Sequence, residues 1–341
     1  MPVGRGHKAL FWILLAAYAS FFAEVFAGST LFPFADPWAL LMMVPLYGLH
    51  VILLVTLIYR YGRPTLATLV FAGALFGLYE TYLTKMFWRP PWEAPFTLGG
   101  IAVLTSLVLL WWHTWFSFIT PLVLAEGALT ASHQVRANLP TSLQRFYGSR
   151  WGWLALALFG AIFQANGSPA PGISLLSGLS TVPVLVVLTW LWERATRGRD
   201  YALADLLPGR RAFRWLAAWL AALYLFYGVA FNPERLPPIW PAQVIVWGLY
   251  ALFIALFVRA LRHSRRAAPP SPIAAAFPTT QALLVAGGLF MLALPLAKAS
   301  LGTANTFILL AWLSGAVFEI SMLVKAWGSL RSPALPPHDA N

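Results

Sequence analysis

Residues 9–29 read ALFWILLAAYASFFAEVFAGS, and they contain a single charged residue, Glu24. An α-helix needs about 20 apolar residues to cross the hydrocarbon core of a bilayer, so this stretch predicts a first transmembrane helix. The whole chain follows the same pattern, since 60% of its 341 residues are hydrophobic, 10% are charged and none is cysteine. This composition excludes a disordered chain and an ordinary soluble enzyme, and it also excludes disulfides and thiolate metal sites.

Ten apolar segments have the length and composition of a transmembrane helix. They cover residues 9–29, 38–59, 65–87, 98–131, 151–167, 173–193, 214–231, 239–260, 278–298 and 304–326. Pro121 lies inside the fourth segment, where a kink or a break of the helix is expected. The sequence therefore predicts an all-α, polytopic integral membrane protein with about ten transmembrane helices.

The net charge of +12 reflects the orientation of these helices. If the N-terminus is cytoplasmic, 19 of the 23 lysines and arginines fall on the cytoplasmic side, and the other 4 are Lys85, Arg89, Arg235 and Lys298. This distribution obeys the positive-inside rule. We therefore expect a multi-pass protein of the cell membrane with both termini in the cytoplasm, and its expected partner is membrane lipid, not nucleic acid.

Polar residues inside the predicted spans are concentrated near the start of the chain. Residues 1–133 hold helices 1–4, residues 134–150 form a polar cytoplasmic connection, residues 151–331 hold helices 5–10, and residues 332–341 form a cytoplasmic tail. The ionisable groups of the first four spans are Glu24, His50, Glu80, His113 and Glu126, whereas the later spans contribute Glu319 and groups near helix ends. We therefore expect the functional site in helices 1–4 and a mainly scaffolding role for helices 5–10.

Four of these groups are predicted to share one layer of the membrane, between its midplane and its outer half. They are Glu24, His50, Glu80 and His113. Ionisable groups inside a bilayer are costly and normally face the interior of the helix bundle or a cavity. We interpret Glu126 and Glu319 as groups near the inner boundary that support packing.

Helical spacing gives each of the first four helices a polar face. On the third helix, Gly73 and Gly77 precede Glu80 at a spacing that permits close approach of a neighbouring helix. The predicted substrate contacts lie on the same faces as the ionisable groups: Thr84 with Glu80, Tyr47 with His50, and Ser117 with His113. Four such faces that meet in a bundle would form a polar pocket.

Three functions remain open for this pocket. A membrane-embedded enzyme acting on a lipid or membrane peptide would use Glu24 or Glu80 as a general base and His113 to stabilise an oxyanion. A divalent metal held by His50, His113, Glu24 and Glu80 is an alternative, as is a haem with His50 and His113 as axial ligands. A proton-coupled transporter of a small cationic or lipophilic solute, similar in layout to drug/metabolite transporters, is the second function, and a structural subunit of a membrane complex is the third.

One short region resembles a known family. Glu80-Thr81-Tyr82-Leu83-Thr84-Lys85 resembles the EExxxR motif of CAAX-type (CPBP/Abi) intramembrane proteases, and Leu109 to His113 resembles the FxxxH motif of that family. The two motifs lie within about 35 residues, and Thr81, Lys85 and Leu109 stand where the family has Glu, Arg and Phe. The resemblance implies that Glu80 activates water and that His113 binds the oxyanion or the water.

Overall fold

The computed structural model describes residues 3–84, 96–197, 199–226, 240–267 and 277–331, and within these ranges the side chains of residues 83–84 and 301–304 are left undescribed. The described elements are, in chain order, α1 (Arg5–Val25), α2 (Ala39–Tyr61), α3 (Leu66–Tyr79, extended by a π-helical turn over Glu80–Thr84), β1 (Thr97–Leu98), β2 (Ile101–Ala102), α4 (Val103–Leu129), α5 (Gln134–Ala137), α6 (Thr141–Gly148), α7 (Arg150–Gly167), α8 (Pro171–Ala195), α9 (Leu203–Leu206), α10 (Arg210–Leu225), α11 (Trp240–Ser264), α12 (Thr280–Ala299) and α13 (Leu301–Ser329). The two strands form an antiparallel hairpin in which Thr97 pairs with Ala102 and Leu98 with Ile101.

Seven of the described helices are long and apolar enough to cross a membrane, namely α1, α2, α4, α8, α11, α12 and α13. α3 is apolar but shorter. Each of the ten predicted segments overlaps a described helix, since α7 and α10 occupy the remaining two, whereas residues 85–87, 227–231 and 239 of these segments lie outside the described residues. The all-α class and the presence of several membrane-spanning helices are thus confirmed, whereas the number ten and the side on which the termini lie stay predictions.

Pro121 does not break α4, which runs without interruption from Val103 to Leu129. A π-helical segment over His113–Ile119 lies directly before this proline. Proline lacks the N–H that an α-helix needs and clashes with the carbonyl one turn earlier, and a local change of helix type relieves such conflicts within a membrane. We attribute the π-helical segment in part to Pro121.

The helices form two compact units, each assembled from segments that are far apart in the sequence. Unit 1 consists of Met1–Ile52, Thr120–Ala212 and Ser271–Ala311, and unit 2 consists of Leu53–Ile119, Phe213–Pro270 and Trp312–Asn341. Boundaries between these segments fall within α2, α4, α10 and α13, which therefore contribute to both units. The predicted division of the chain around residues 134–150 stays a prediction, and the predicted tail, residues 332–341, lies outside the described residues.

In unit 1, α12 packs against α7 and α8, and α1 packs against α8 and the second half of α4. The start of α1 is tied to the segment that follows α8, because the Trp12 indole donates to the carbonyl of Leu206 at 2.8 Å and Lys8 donates to that of Leu207 at 3.2 Å. The Trp192 indole donates to the carbonyl of Leu129 at 2.9 Å. The N-terminus of α1 and the C-termini of α4 and α8 therefore lie at the same end of the unit, which is rich in basic residues.

In unit 2, α3 packs against α11 and against the first half of α4. A Cβ added to Gly73 would lie 2.9 Å from the Cα of Thr114, and one added to Gly77 would lie 3.1 Å from the Cα of Leu110. The structure thus has the close helix approach that the Gly73–Gly77 spacing predicts. The two contacts also fix the antiparallel register of α3 on α4.

Replacement of Gly73 by leucine should destabilise unit 2, because the side chain would overlap the α4 backbone. We expect a cost of about 1–3 kcal/mol, as for other overpacked sites. The measurement is the apparent melting temperature of the purified protein in detergent. Gly248→Leu on α11 is the matched control, since nothing lies within 4 Å of a Cβ at that position. An equal effect of the two substitutions would contradict the proposed contact.

Candidate functional site

The residues that the sequence predicts as catalytic lie in π-helical turns. Glu24 lies in Phe21–Val25, Glu80 begins Glu80–Thr84, and His113 begins His113–Ile119. π-Helical turns are rare and occur frequently at functional sites. The sequence does not predict this backbone feature. A fourth π-helical turn, Ala39–Met43 at the start of α2, holds none of the predicted site residues.

The loop after α1 folds back onto Glu24. Gly28 has φ +71°, a left-handed conformation, and a Cβ there would meet the carbonyl oxygen of Gln164 at 2.8 Å. Glycine adopts this conformation at little cost, and it ends many helices. The reversal brings the hydroxyl groups of Ser29 and Thr30 within 2.6 Å and 2.7 Å of the Glu24 Oε2 atom, to which both donate.

A third hydroxyl group reaches Glu24 from α2. Tyr47 donates a short hydrogen bond to Oε1 of Glu24. Its helix lies close to α1, since a Cβ on Gly48 would be 3.0 Å from the Cα of Ala16. Only 4% of Glu24 is exposed, so its carboxylate is buried among three hydroxyl donors. Glu24 itself belongs to α1, and one of the donors is Tyr47, a predicted substrate residue.

His50 lies one turn beyond Tyr47 on α2 and is buried. Its Nδ1 atom is 2.8 Å from the carbonyl oxygen of Leu46, a contact in which the Nδ1–H tautomer donates. This hydrogen bond fixes the orientation of the ring. His50 and Glu24 thus belong to the same unit.

The other predicted site residues belong to unit 2. His113 is buried, its Nδ1 atom is 2.8 Å from the hydroxyl oxygen of Ser117, and its ring is 5.9 Å from that of Phe76. The pairing of His113 with Ser117 on one face of α4 was predicted from helical spacing. Further along α4, Thr120 belongs to unit 1 and pairs with Tyr147, at 2.7 Å between the two hydroxyl oxygens.

Glu80 is buried beside tyrosines that the sequence analysis did not include. Tyr224 of α10 and Tyr250 of α11 lie close enough to Glu80 to interact with its charge, and Tyr224 stacks on Tyr79 at 4.1 Å between ring centroids. Gly77 of α3 lies opposite Leu110 of α4. Glu80 lies three residues beyond Gly77, and His113 lies three residues beyond Leu110 in the opposite direction because the two helices are antiparallel. At 1.5 Å per residue, the two sites differ by about 9 Å along the helix axis.

The four ionisable residues of the predicted pocket are divided between the two units. Glu24 and His50 belong to unit 1, and Glu80 and His113 belong to unit 2. Their union in one pocket stays a prediction, as do the haem and the metal ion. Among the described residues, no three His, Asp or Glu side chains are grouped so that they could hold a metal. The side chain of Thr84 is not described.

Glu126 stabilises the connection after α4. Its carboxylate is buried and accepts hydrogen bonds from the backbone N–H groups of Val135 and Arg136, at 2.9 Å and 3.1 Å. These groups belong to the first turn of α5, where N–H groups lack partners within the helix. In this connection burial lowers the pKa of Arg136, and the charge of Glu126 opposes the shift. These contacts support the predicted packing role of Glu126.

Glu319 of α13 joins α4 in unit 2. Its carboxylate is buried and accepts from the Trp115 indole at 2.8 Å and from the Thr114 hydroxyl at 3.1 Å. Thr114 is also the residue that Gly73 contacts. Glu319 therefore supports the same helix crossing.

The sequence analysis did not predict a cavity of about 310 Å³ in unit 1. It is lined by α1, the end of α4, and the helices α7, α8 and α12, which were expected to be mainly scaffold. The one visible signal was the cluster of Phe21, Phe22 and Phe26 beside Glu24. Aromatic residues are common throughout this chain, so that cluster did not indicate a cavity.

These features define a multi-pass α-helical membrane protein with a buried carboxylate site. Residues 13–330 match the sequence model of a family described as an uncharacterized membrane protein family, and the chain belongs to that family. It is also similar to an uncharacterized protein of Archaeoglobus fulgidus, with 30% identity over 255 residues that cover 74% of this chain and 78% of that protein. No solved structure matches the chain.

Substitution of Glu319 should separate its packing role from a chemical one. Glu319→Gln can still accept from Trp115 and donate to Thr114, so we expect a nearly unchanged melting temperature. Glu319→Leu leaves two buried donors without an acceptor and should cost about 1–3 kcal/mol. Thermal unfolding in detergent measures both. A loss of stability in the glutamine variant equal to that in the leucine variant would contradict this interpretation.

Proposed function

We propose that the protein is a membrane-embedded enzyme that acts on a lipid, with Glu24 as its general base. The observation that carries the proposal is the buried carboxylate that three hydroxyl groups hold in a π-helical turn. Ionisable residues within spans are expensive and commonly functional. A fixed array of hydrogen bonds also suits catalysis, because it needs no reorganisation during the reaction.

The chemistry that fits this site is hydrolysis of a lipid ester. Glu24 would take a proton from a water molecule whose oxygen forms a bond to the carbonyl carbon. The bond between that carbon and the leaving oxygen then breaks, and the leaving oxygen receives the proton from Glu24. Tyr47 would orient the carboxylate through the hydrogen bond that it donates to Glu24.

A proton-coupled carrier of a cationic or lipophilic solute is the second candidate, and it would use the same carboxylate. A carrier has to bind and release its proton on alternate sides of the membrane. The three hydroxyl groups come from α2 and from the loop that directly follows α1, so they hold Glu24 in one position. This rigidity favours the enzyme. The role that the protease resemblance implies for Glu80 and His113 is a further proposal, which the offset of about 9 Å along the helix axis does not favour.

We further propose ten spans, with both termini on the cytoplasmic side of the cell membrane. The chain has no cysteine, so single cysteines can report topology without a background. Asn166→Cys at the end of α7 should react with a membrane-impermeant maleimide in intact cells. Asp200→Cys after α8 and Ser329→Cys at the end of α13 should react only after lysis. All three positions are exposed, and labelling of Ser329→Cys from outside would exclude a cytoplasmic C-terminus.

Replacement of Glu24 by glutamine should abolish the activity while the fold is kept, because the amide cannot accept a proton. Bacterial cells that express the wild-type protein are compared with cells that express Glu24→Gln by untargeted mass spectrometry of their membrane lipids. We expect a lipid whose abundance changes at least tenfold with the wild-type protein and does not change with the variant. Asp200→Asn, an exposed carboxylate of the basic loop, is the control and should behave as wild type.

The same variants decide between enzyme and carrier. Proteoliposomes are tested for uptake of tetraphenylphosphonium driven by a pH gradient. Uptake that depends on Glu24, without any change in the lipids, would replace the enzyme by the carrier. A lipid change that persists in Glu24→Gln would refute the role of Glu24 in catalysis.

A further inference from the structure

The cavity of unit 1 is closed at one end by aromatic rings. Phe290 of α12 stacks on Phe26 at 5.2 Å between ring centroids and contacts Phe21 edge-on at 5.4 Å. Phe22 contacts Phe26 at 4.8 Å. Aromatic pairs in these arrangements are stable and rigid, so they form a fixed, apolar floor.

Polar groups lie at the opposite end, near the basic end of the unit. Thr280 at the start of α12 donates to the carboxylate of Glu193 at 3.2 Å. Deeper in the cavity, the hydroxyl oxygens of Tyr18 and Thr189 are 2.7 Å apart. The cavity therefore has one carboxylate and one hydroxyl group at its mouth, a pair of hydroxyl groups along its wall and only apolar groups at its floor.

The mouth opens between α8 and α12 toward the surroundings of the protein. Trp190 and Leu284 line the cavity and are also 51% and 46% exposed. Both helices are apolar enough to span a membrane, so exposed apolar side chains on them face lipid. Trp190 lies under the guanidinium of Arg194, at 5.4 Å from the ring centroid, as is common for residues at the membrane–water interface. A molecule can thus enter laterally from the bilayer with its polar end at the interface.

The dimensions fit one hydrocarbon chain. Thr280 and Phe290 are ten residues apart on α12, which corresponds to a depth of about 15 Å. At the roughly 30 Å³ that a water molecule occupies in the liquid, a cavity of about 310 Å³ holds about ten non-hydrogen atoms. A double-chain phospholipid is too large for this space.

We propose that this cavity binds a single-chain amphiphile whose head group donates hydrogen bonds, with the head at Glu193 and Thr280 and the chain against Phe26 and Phe290. The Glu193 carboxylate and the Thr280 hydroxyl oxygen at the mouth are acceptors for such a head group, which is an alcohol or an ammonium group. Glu24 does not line the cavity. The proposal therefore does not depend on the proposed function.

The test is photolabelling of the purified full-length protein in lipid nanodiscs. The probes are octanol and octylamine, each with a diazirine at the end of the chain. We expect mass spectrometry to find the label on the peptides that contain Phe21 to Phe26 and Phe290. Label found only on exposed apolar residues of other helices, as for nonspecific lipid, would overturn the proposal.

Two adjacent glycines provide a matched pair of variants. Gly287 lines the cavity, and a Cβ there would be 3.1 Å from Val182, whereas nothing lies within 4 Å of a Cβ on Gly288. Gly287→Phe should fill the cavity and reduce labelling of the floor at least tenfold, and Gly288→Phe should leave it within twofold of wild type. Equal labelling of the two variants would refute the site. If Gly287→Phe does not fold, Ala157→Leu, which also lines the cavity, is the test with the same criterion.

Glu193→Gln distinguishes the two head groups. An ammonium group requires the negative charge, so the variant should reduce labelling by octylamine at least tenfold and leave that by octanol within twofold. If both probes label the Glu193→Gln variant to a similar extent, the negative charge is not required, and the head group is assigned as an alcohol. Loss of binding in Glu24→Gln with labelling unaffected by Gly287→Phe would place the ligand at the carboxylate site and would overturn the cavity proposal.

Discussion

The cost of removing a carboxylate from water governs how the polar residues of this protein are arranged. An ionised carboxylate in an apolar environment is stable only if donors surround it. Glu24 receives three hydroxyl groups, Glu126 two backbone N–H groups, and Glu319 an indole and a hydroxyl. Because the donors come from other elements, each carboxylate also joins parts of the fold. Glu24 differs in that it accepts from three hydroxyl groups, which can exchange protons with a reacting molecule.

The backbone meets the same constraint through close packing and changes of helix type. Every backbone polar group must be paired inside the membrane, and the helices approach each other closely at small residues. Gly73 of α3 contacts α4 in this way, and Gly48 of α2 contacts α1. The π-helical turn before Pro121 keeps α4 continuous where a proline would otherwise interrupt it. The π-helical turn in α1 ends at Val25, and the left-handed conformation of Gly28 then returns the chain to Glu24. Three of the four described π-helical turns carry a buried ionisable side chain, whereas the fourth, Ala39–Met43, is apolar.

The sequence predicts the positions of the helices because hydrophobic length is a strong signal, and it predicts the pairing of His113 with Ser117 because helical spacing places both on one face. Glu24 and Tyr47 are candidate site residues from the sequence, but their contact with each other is not predicted. The sequence does not predict Ser29 and Thr30 as partners of Glu24, since the reversal at Gly28 lies beyond the helix. The cavity also escapes prediction. Its apolar side chains come from five helices, and an apolar residue that faces a void has the same sequence pattern as one that faces lipid or a neighbouring helix.

One turn of α1 contributes to both sites of unit 1. Phe21 and Phe22 line the cavity, while Glu24 accepts hydrogen bonds from Tyr47 on α2. Since all three residues belong to the same π-helical turn, displacement of the phenylalanine rings acts on the backbone that positions the carboxylate. Packed interiors transmit such strain because they contain few voids. A chain bound in the cavity would therefore bear directly on the turn that holds Glu24, although it does not contact the carboxylate.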